Sequence, residues 1–258
     1  MPLVVDLNAD VGEECGDDAS LLAIVTTANV AAGGHAGGGQ VLVDTVALAA
    51  RGGVAVGAHP SYPDRAGFGR TSRADAHDAA GIAAFVRAQV LAVAAACAEH
   101  SVGLSHVKAH GALYTDAAAD AALTAAFLAG VQTAAGDLGL TGLPVMGMPG
   151  TVLEQACQER GLGFIAEAFA DRAYAPDGTL LPRSEPGAVL HDPEQVAERV
   201  LRLVTEGRVL AVDGTDLDVP AVTVCVHGDT AGAVEMARRV RHRLEARGVL
   251  VAAPGDDR

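Results

Sequence analysis

The chain alternates short apolar runs with longer segments of helical periodicity, and this pattern repeats seven times along 258 residues. Such alternation predicts βαβ units and a parallel sheet, because parallel neighbours need a crossover between them. Right-handed crossovers wind that sheet in one direction. The predicted strands are 3–7, 27–32, 54–58, 104–109, 144–148, 164–170 and 221–227, and the predicted helices are 18–25, 38–51, 74–100, 117–137, 150–160, 192–205 and 230–247.

Polar residues close most of the predicted strands, which favours a barrel over a doubly wound open sheet. In a parallel barrel the carboxyl ends of all strands meet at one rim, whereas an open sheet gathers only those at its switch point. No Pro/Ser-rich linker or charge block interrupts the sequence. We therefore predict one α/β domain over residues 1–258, a closed or nearly closed barrel of parallel strands. Its long irregular segment, 171–191, predicts a lid or binding loop.

Charge and cysteine content restrict the class of protein. A formal net charge of −14 argues against nucleic acid and against anionic membranes, which both attract basic residues. The four cysteines include no CxxC pair, as is typical of free thiols. Asp6 interrupts the apolar start, so no secretion signal is predicted. We expect a cytoplasmic protein and leave its homo-oligomeric state open.

Candidate catalytic residues begin on the first two strands. Asp6, Asn8 and Asp10 alternate with apolar residues and therefore share one face of strand one. Buried polar groups of this kind need partners. His35 follows strand two within a glycine-rich turn, where the backbone can approach a ligand closely.

Strand three ends at His59, and two arginines follow it. Arg65 and Arg70 are candidates for binding a carboxylate or phosphate, since guanidinium groups can grip either in a bidentate manner. A solvated surface role is equally compatible with their positions. No GxxxxGK[ST] motif occurs, so the sequence predicts no familiar nucleotide site of its own.

Strand four carries the most informative residue. His106, Lys108 and His110 lie on one face, and Lys108 is the single lysine among 18 basic Lys and Arg residues. A lysine kept where arginine is otherwise used indicates chemistry that arginine does not perform, such as proton transfer or stabilisation of an oxyanion.

The last two predicted strands add further candidates. Glu167, a catalytic candidate, and Asp171 share a face at the end of strand six, and Arg172 follows them. Strand seven ends at His227, and Asp229 is either a ligand-binding residue or the N-cap of the next helix. Asp171, Arg172, His227 and Asp229 are assigned to substrate or phosphate binding.

Four strand-end histidines together predict a catalytic or metal site. They are His35, His59, His110 and His227. With Asp10, His35 and His59 permit a divalent metal without requiring one, because no HExxH motif occurs.

These same residues lie in motifs that resemble the LamB/YcsF family. The resemblance runs from Asp6 to about Val251, and its motifs are ordered and specific. They read DLNADVGE at 6–13, GHAG at 34–37, GAHPS at 57–61, PDR at 63–65, HVK at 106–108, HGALY at 110–114, FADR at 169–172 and VHGD at 226–229.

The resemblance implies an incomplete, seven-stranded TIM-like barrel, related to polysaccharide deacetylases. It also implies the A subunit of an ATP-dependent 5-oxoprolinase, which opens the 5-oxoproline lactam to L-glutamate together with the partner B and C subunits. Two positions depart from the family pattern. Gly38 stands where an acid is usual, and Ala109 stands where proline is usual between Lys108 and His110.

The implied mechanism uses ATP to activate an unstrained amide. Phosphorylation of the lactam oxygen precedes attack by water, with Lys108 and an arginine binding the phosphate or the substrate carboxylate. His59 or His110 acts as general base, oriented by Asp10. Two alternatives stay open: a metal-dependent, deacetylase-like hydrolase that works alone, and a non-catalytic binding or regulatory subunit.

Overall fold

A computed structural model of the chain describes residues 3–230 and 232–255. The elements, in chain order, are β1 (Val4–Val11), α1 (Asp18–Leu22), β2 (Thr27–Ala31), α2 (Gly39–Gly52), β3 (Ala55–His59), a 3₁₀ turn (Ala74–Ala76), α3 (Ala79–Glu99), β4 (Leu104–Lys108), α4 (Gly111–Ala119), α5 (Ala121–Asp137), β5 (Val145–Gly147), α6 (Val152–Glu159), β6 (Phe164–Phe169), α7 (Pro193–Glu206), β7 (Arg208–Leu210), β8 (Asp216–Asp218), β9 (Thr223–His227), α8 (Ala233–Ala246) and β10 (Leu250–Val251).

The main sheet has the topology of a closed parallel barrel. Its strands follow the order β1-β2-β3-β4-β5-β6-β9, β9 pairs again with β1, and β10 adds to β1 as an eighth strand. The pairs β3–β4, β4–β5, β6–β9 and β1–β10 are parallel. The predicted seven-stranded TIM-like barrel is thereby confirmed, with one strand for each predicted strand.

Helix starts follow from side-chain capping. Asp17, Asp78, Asp120, Thr151 and Asp192 each accept a hydrogen bond from a backbone N–H in the first turn of the following helix. The predicted helix 74–100 therefore begins at Ala79, after the cap, with a short 3₁₀ turn before it. The predicted helix 117–137 is divided at its cap residue into α4 and α5.

Sequence periodicity missed three short strands and the start of α4. The strands β7 and β8 form a small antiparallel hairpin between α7 and β9, and β10 follows α8. The predicted loop 171–191 contains isolated bridges between Arg172 and Val189 and between Tyr174 and Leu180. One residue of the predicted helix 230–247, Ala231, lies outside the described residues.

The described chain groups into two compact units. The central unit comprises residues 10–14 and 28–165, and the terminal unit comprises residues 3–9, 15–27, 166–230 and 232–255. In the central unit α3 packs along α5 and also contacts α2. In the terminal unit α7 packs along α8.

The helix α3 is long and apolar enough to cross a membrane by length and composition alone. The bent pair α4 and α5, taken as one span, is also long and apolar enough by the same two criteria. Core helices of folded proteins also meet these criteria. Because α3 buries Ile82, Val86, Val90 and Val93 within the central unit, its apolar face has a partner inside the protein.

The contact of α3 with α5 generates a stability prediction at Gly130. A Cβ at this position would lie 2.7 Å from Ala83 O and 2.8 Å from Val86 Cβ. Replacing Gly130 by Ala should therefore lower the free energy of unfolding by about 1–3 kcal/mol, despite the better helix propensity of alanine. Urea unfolding followed by circular dichroism measures the change.

Gly136, exposed on the same helix, provides the matched control. A Cβ there meets no atom within 4 Å. Gly136→Ala should raise the free energy of unfolding by up to about 1 kcal/mol. Equal effects of the two substitutions would contradict the close helix packing.

Candidate functional site

A buried carboxylate, Asp10, lies on β1 in the central unit and gathers three donors. Its Oδ1 accepts hydrogen bonds from Asn29 Nδ2 at 2.9 Å and from Lys108 Nζ at 3.0 Å. Its Oδ2 lies 3.3 Å from His59 Nε2. Asp10 is 6% exposed and Lys108 is 2% exposed. Both charges are therefore withdrawn from water, and each depends on the other for stabilisation.

The two histidines beside Asp10 have one ring nitrogen committed to the backbone. His59 Nδ1 lies 2.8 Å from Lys108 O, and His110 Nε2 lies 3.0 Å from Phe68 O. A carbonyl oxygen only accepts, so each of these nitrogens carries hydrogen. The neutral rings then place lone pairs on His59 Nε2 and His110 Nδ1, which are 3.1 Å apart.

Glu13 completes the group from the loop after β1. Its Oε1 lies 3.0 Å from His35 Nε2, 3.2 Å from His110 Nδ1 and 4.0 Å from His59 Nε2. Burial raises the pKa of Glu13, but its contacts with the ring nitrogens of His110 and His35 outweigh burial and hold this pKa well below its usual range. Glu13 is thus an anion at neutral pH.

Glu13 was absent from the predicted site, and the preceding glycine explains why. The alternation of Asp6, Asn8 and Asp10 ends at Gly12, whose φ of 72° turns the chain out of the strand pattern. One sequence signal could have identified Glu13: an acid that follows a glycine directly after a strand of alternating polar and apolar residues.

Four acceptor atoms therefore converge from Asp10, Glu13, His59 and His110. Repulsion among them requires a positive charge between them, which either an additional proton or a cation can provide. Burial lowers the pKa of His59, yet the charge of Asp10 and its hydrogen bond outweigh burial and raise this pKa overall. Burial dominates at His110 and lowers its pKa. His59 is accordingly the ring that holds the additional proton.

The same four residues could instead hold a metal ion. Their ligand atoms all lie within 4.8 Å of one another. Two nitrogen and two oxygen ligands suit zinc and other first-row divalent ions. The backbone hydrogen bonds of His59 and His110 are of the kind that orients metal-bound histidines. This set retains Asp10 and His59 of the predicted ligands, and it contains Glu13 and His110 where the prediction had His35.

His35 is brought to this group in a different role. Its ring stacks on His110 with centroids 3.5 Å apart, and its Nε2 contacts Glu13. Burial lowers the pKa of His35 to about 4, so this ring is neutral at pH 7. Its Nδ1 is buried and makes no hydrogen bond within the described residues.

A second layer of polar contacts orients Asn29. His106 Nε2 lies 2.7 Å from Asn29 Oδ1, and His106 Nδ1 lies 2.8 Å from Ser105 Oγ. Burial lowers the pKa of His106 to about 3, which keeps its ring neutral. The ring of His106 fits here because β3 carries Gly57, where a Cβ would approach His106 Nε2 to 2.2 Å.

The predicted catalytic residues of the terminal unit lie among hydroxyl groups. Asp6 accepts hydrogen bonds from Thr26 Oγ1 at 2.6 Å, Thr27 Oγ1 at 2.7 Å and Thr223 Oγ1 at 2.5 Å. Asn8 Nδ2 donates to Thr223 Oγ1 at 2.8 Å. Glu167, fully buried on β6, is the register partner of Thr223. Burial raises the pKa of Asp6 against the opposing effect of its hydrogen bonds.

Asp171 and His227 pair at the ends of β6 and β9. His227 Nδ1 lies 2.8 Å from Asp171 Oδ1, and Thr230 Oγ1 donates to Asp171 Oδ2 at 2.7 Å. Asp229, also at the end of β9, forms an ion pair with Arg183 at 3.3 Å. Its predicted neighbour in binding, Arg172, donates to the carbonyl oxygens of Ala188 and Leu181 within the 171–191 segment.

The two predicted anion-binding arginines lie in the central unit. Arg65 forms an ion pair with exposed Glu14 at 2.7 Å and donates to Gly37 O at 2.9 Å. The guanidinium carbon of Arg70 lies 4.8 Å from the centroid of the Phe68 ring. Arg65 therefore ties the loop after β1 to the glycine turn that carries His35.

The fold and the central-unit site define a class: a parallel (β/α) barrel protein with a buried centre of acids, histidines and one lysine. Comparison with known proteins gives the particular family. The LamB/YcsF family model matches residues 5–257, and the chain belongs to this family.

Relatives and a solved structure match over nearly the full length. A protein of Symbiobacterium thermophilum, named as the A subunit of 5-oxoprolinase, is 47% identical over 98% of this chain and 96% of its own. A protein of the same name from Cutibacterium acnes is 45% identical, over 96% and 98%. The crystal structure of a lactam utilization protein from Thermus thermophilus superposes with a TM-score of 0.88, at 42% identity, covering 96% of this chain and 99% of that one.

The Lys108–Asp10 pair generates a double-mutant prediction. Lys108→Met leaves Asp10 as a buried carboxylate without its cation, and should lower the free energy of unfolding by about 3–5 kcal/mol. Adding Asp10→Asn removes the unpaired charge, so the double variant should be less destabilised than the sum of the single variants. Urea unfolding of all four proteins measures the coupling.

Arg65→Met provides the control for this cycle. The Arg65–Glu14 pair is exposed, with 55% and 46% of its side chains accessible, so its loss should change the free energy of unfolding by no more than about 1 kcal/mol. Additive effects of Lys108→Met and Asp10→Asn would contradict the charge pairing at the site.

Proposed function

We propose that this chain is the A subunit of an ATP-dependent 5-oxoprolinase, which hydrolyses the lactam of 5-oxoproline to L-glutamate. The observation that carries the proposal is the near full-length match to relatives of that name at 45–47% identity. The motifs shared with the family contain the residues of the central-unit site. We place the protein in the cytoplasm, where 5-oxoproline and ATP are both available.

The site offers the groups that amide hydrolysis requires. The lactam C–N bond is unstrained and resonance-stabilised, so its opening needs charge stabilisation at the carbonyl oxygen and a base for water. Lys108 is a buried cation suited to the negative charge of the phosphate that the lactam oxygen receives. His59 lies between Lys108 O and Asp10 with both ring nitrogens engaged, so it is suited to orienting the Asp10 carboxylate beside Lys108.

ATP is assigned to the complex. The sequence carries no P-loop. We infer that phosphorylation of the lactam oxygen converts it to a leaving group, and that water then adds to the ring carbon. The C–N bond breaks, the nitrogen takes a proton, and the resulting acyl phosphate is hydrolysed. The partners in this scheme are the B and C subunits of 5-oxoprolinase.

Glutamate release tests the proposal directly. Purified chain, ATP and 5-oxoproline should release glutamate and phosphate only when both candidate partner proteins are added. Lys108→Met should lower turnover in the reconstituted mixture by at least about 10²-fold, the loss expected when a group that stabilises the transition-state charge is removed. Arg238→Met, at an exposed position on α8, serves as the folded control.

Three results would contradict the proposal. The first is a wild-type mixture in which the partners bind but no glutamate is released with ATP, since this result contradicts 5-oxoprolinase activity. Hydrolysis of N-acetyl sugars by the chain alone would favour the deacetylase-like alternative. Partner binding lost on replacement of Lys108, with no catalysis in any mixture, would favour a non-catalytic subunit.

We further propose that Asp10, Glu13, His59 and His110 bind one divalent metal ion. Such an ion would polarise a carbonyl oxygen or acidify bound water. Two histidines, each with one nitrogen bonded to the backbone, converge with two carboxylates, and this arrangement supports the ligand set. His35, which lies in the glycine-rich turn, is not one of the proposed ligands.

Metal analysis tests the ligand set. Protein loaded with zinc or manganese and then dialysed should retain about one ion per chain by mass spectrometry, as four inner ligands predict. Glu13→Gln and His110→Asn should each lose most of it, while His35→Asn should retain it. Loss in His35→Asn with retention in Glu13→Gln would contradict the assignment, and absence of metal from wild type would leave the proton on His59 as the balancing charge.

A further inference from the structure

The pair formed by Asp171 and His227 in the terminal unit has the arrangement of a proton-transfer dyad. Asp171 is fully buried, and both its oxygens are engaged, one by His227 Nδ1 and the other by Thr230 Oγ1. Burial alone would raise the pKa of Asp171, but His227 and Thr230 outweigh burial and lower it. The carboxylate is therefore ionised and holds the Nδ1 hydrogen of the imidazole.

The opposite nitrogen of His227 is available to a ligand. The side chain is 12% exposed, and Nε2 makes no hydrogen bond to another residue within 3–230 and 232–255. The ring is held in place by Phe169, which stacks on it with centroids 5.4 Å apart and an interplanar angle of 12°. Fixed orientation and a bare Nε2 are what a general acid–base group needs.

The other strand-end histidines lack this combination. His59 and His110 direct their second nitrogens at each other and at the carboxylates of the central-unit site. His35 has a free Nδ1, but its side chain is 0% exposed. Of these four rings, His227 is the one with an oriented Nδ1, a bare Nε2 and contact with solvent.

We infer that His227 is a catalytic proton-transfer residue of the lactam-opening reaction, with Asp171 as its positioning residue. This inference rests on the proposed function and replaces the substrate-binding role predicted from sequence. His227 Nε2 takes one proton from the attacking water as its oxygen bonds to the ring carbon. The imidazolium returns that proton to the lactam nitrogen as the C–N bond breaks, so His227 ends the reaction in the form in which it began.

Chemical rescue distinguishes proton transfer from a packing role. His227→Ala in the reconstituted mixture should lower kcat by about 10²-fold or more, and added imidazole should restore part of the loss. Asp171→Asn should lower kcat at least about tenfold with a nearly constant KM, because the ring loses its orienting anion. His242→Ala, at an exposed position on α8 of the same unit, is the control and should show neither loss nor rescue.

Two activity results would overturn the inference. One is a kcat of His227→Ala within about threefold of wild type, well below the range for lost acid–base catalysis. The other is a folded His227→Ala whose loss lies in KM and does not respond to imidazole, since that result indicates a binding role.

Nitrogen NMR of ¹⁵N-histidine-labelled chain separates this inference from the proposed function, because it needs no partner and no turnover. His227, assigned by the signal lost in His227→Gln, should carry its neutral-form hydrogen on Nδ1. Asp171→Asn should shift the ring toward the other tautomer. A neutral wild-type ring with its hydrogen on Nε2 would overturn the dyad even in an active enzyme. If the wild-type mixture is inactive, the proposed function fails and the tautomer alone decides whether the dyad exists.

Discussion

The central-unit site depends on the negative charge of Asp10. Burying a carboxylate away from water costs roughly several kcal/mol of free energy, and only well-placed hydrogen-bond and charge partners offset this cost. Here the partners come from three other strands: Asn29 from β2, His59 from β3 and Lys108 from β4. Each partner is in turn fixed by a further contact, as His106 fixes Asn29 and Lys108 O fixes His59. The charge of one residue thus sets the orientation of a whole polar layer.

Glycine makes this density of polar groups sterically possible. The rings of His35 and His110 stack on each other beside Gly69. A Cβ at Gly69 would lie 3.0 Å from both His35 Cβ and His110 Cδ2. Gly69 also has a φ of 61°, which disfavours other residues. At Gly57 the absence of a side chain leaves room for the ring of His106. The site therefore requires small residues beside its large ones, and overpacking at these positions would separate the histidines.

The two units provide two chemically different groups of acids and histidines. In the central unit the histidines share their acceptor atoms with Asp10 and Glu13, an arrangement that attracts a proton or a cation. In the terminal unit one histidine is paired with one aspartate, an arrangement that moves a proton. The network around Asp6 is different again, because its donors are the hydroxyl groups of Thr26, Thr27 and Thr223. Equal residue types on alternating strand positions thus acquire unequal roles from the partners that the fold provides.

The sequence by itself determined the strands of the barrel and several members of the buried polar cluster in the central unit. Apolar periodicity gave all seven barrel strands, and period-two alternation identified Asp10 and Lys108, because strand geometry places alternate residues on one face. It could not identify Glu13, which follows a glycine with positive φ, or the boundary between α4 and α5, which a capping Asp120 decides. The tertiary structure alone decided which histidines contact the same carboxylates and which nitrogen of each ring bonds to the backbone. It also decided that Arg65 connects the loop after β1 to the glycine-rich turn. Such pairings join residues far apart in the chain, such as Asp10 and Lys108. A local sequence pattern cannot predict them because it carries no information about the distance in space between distant residues.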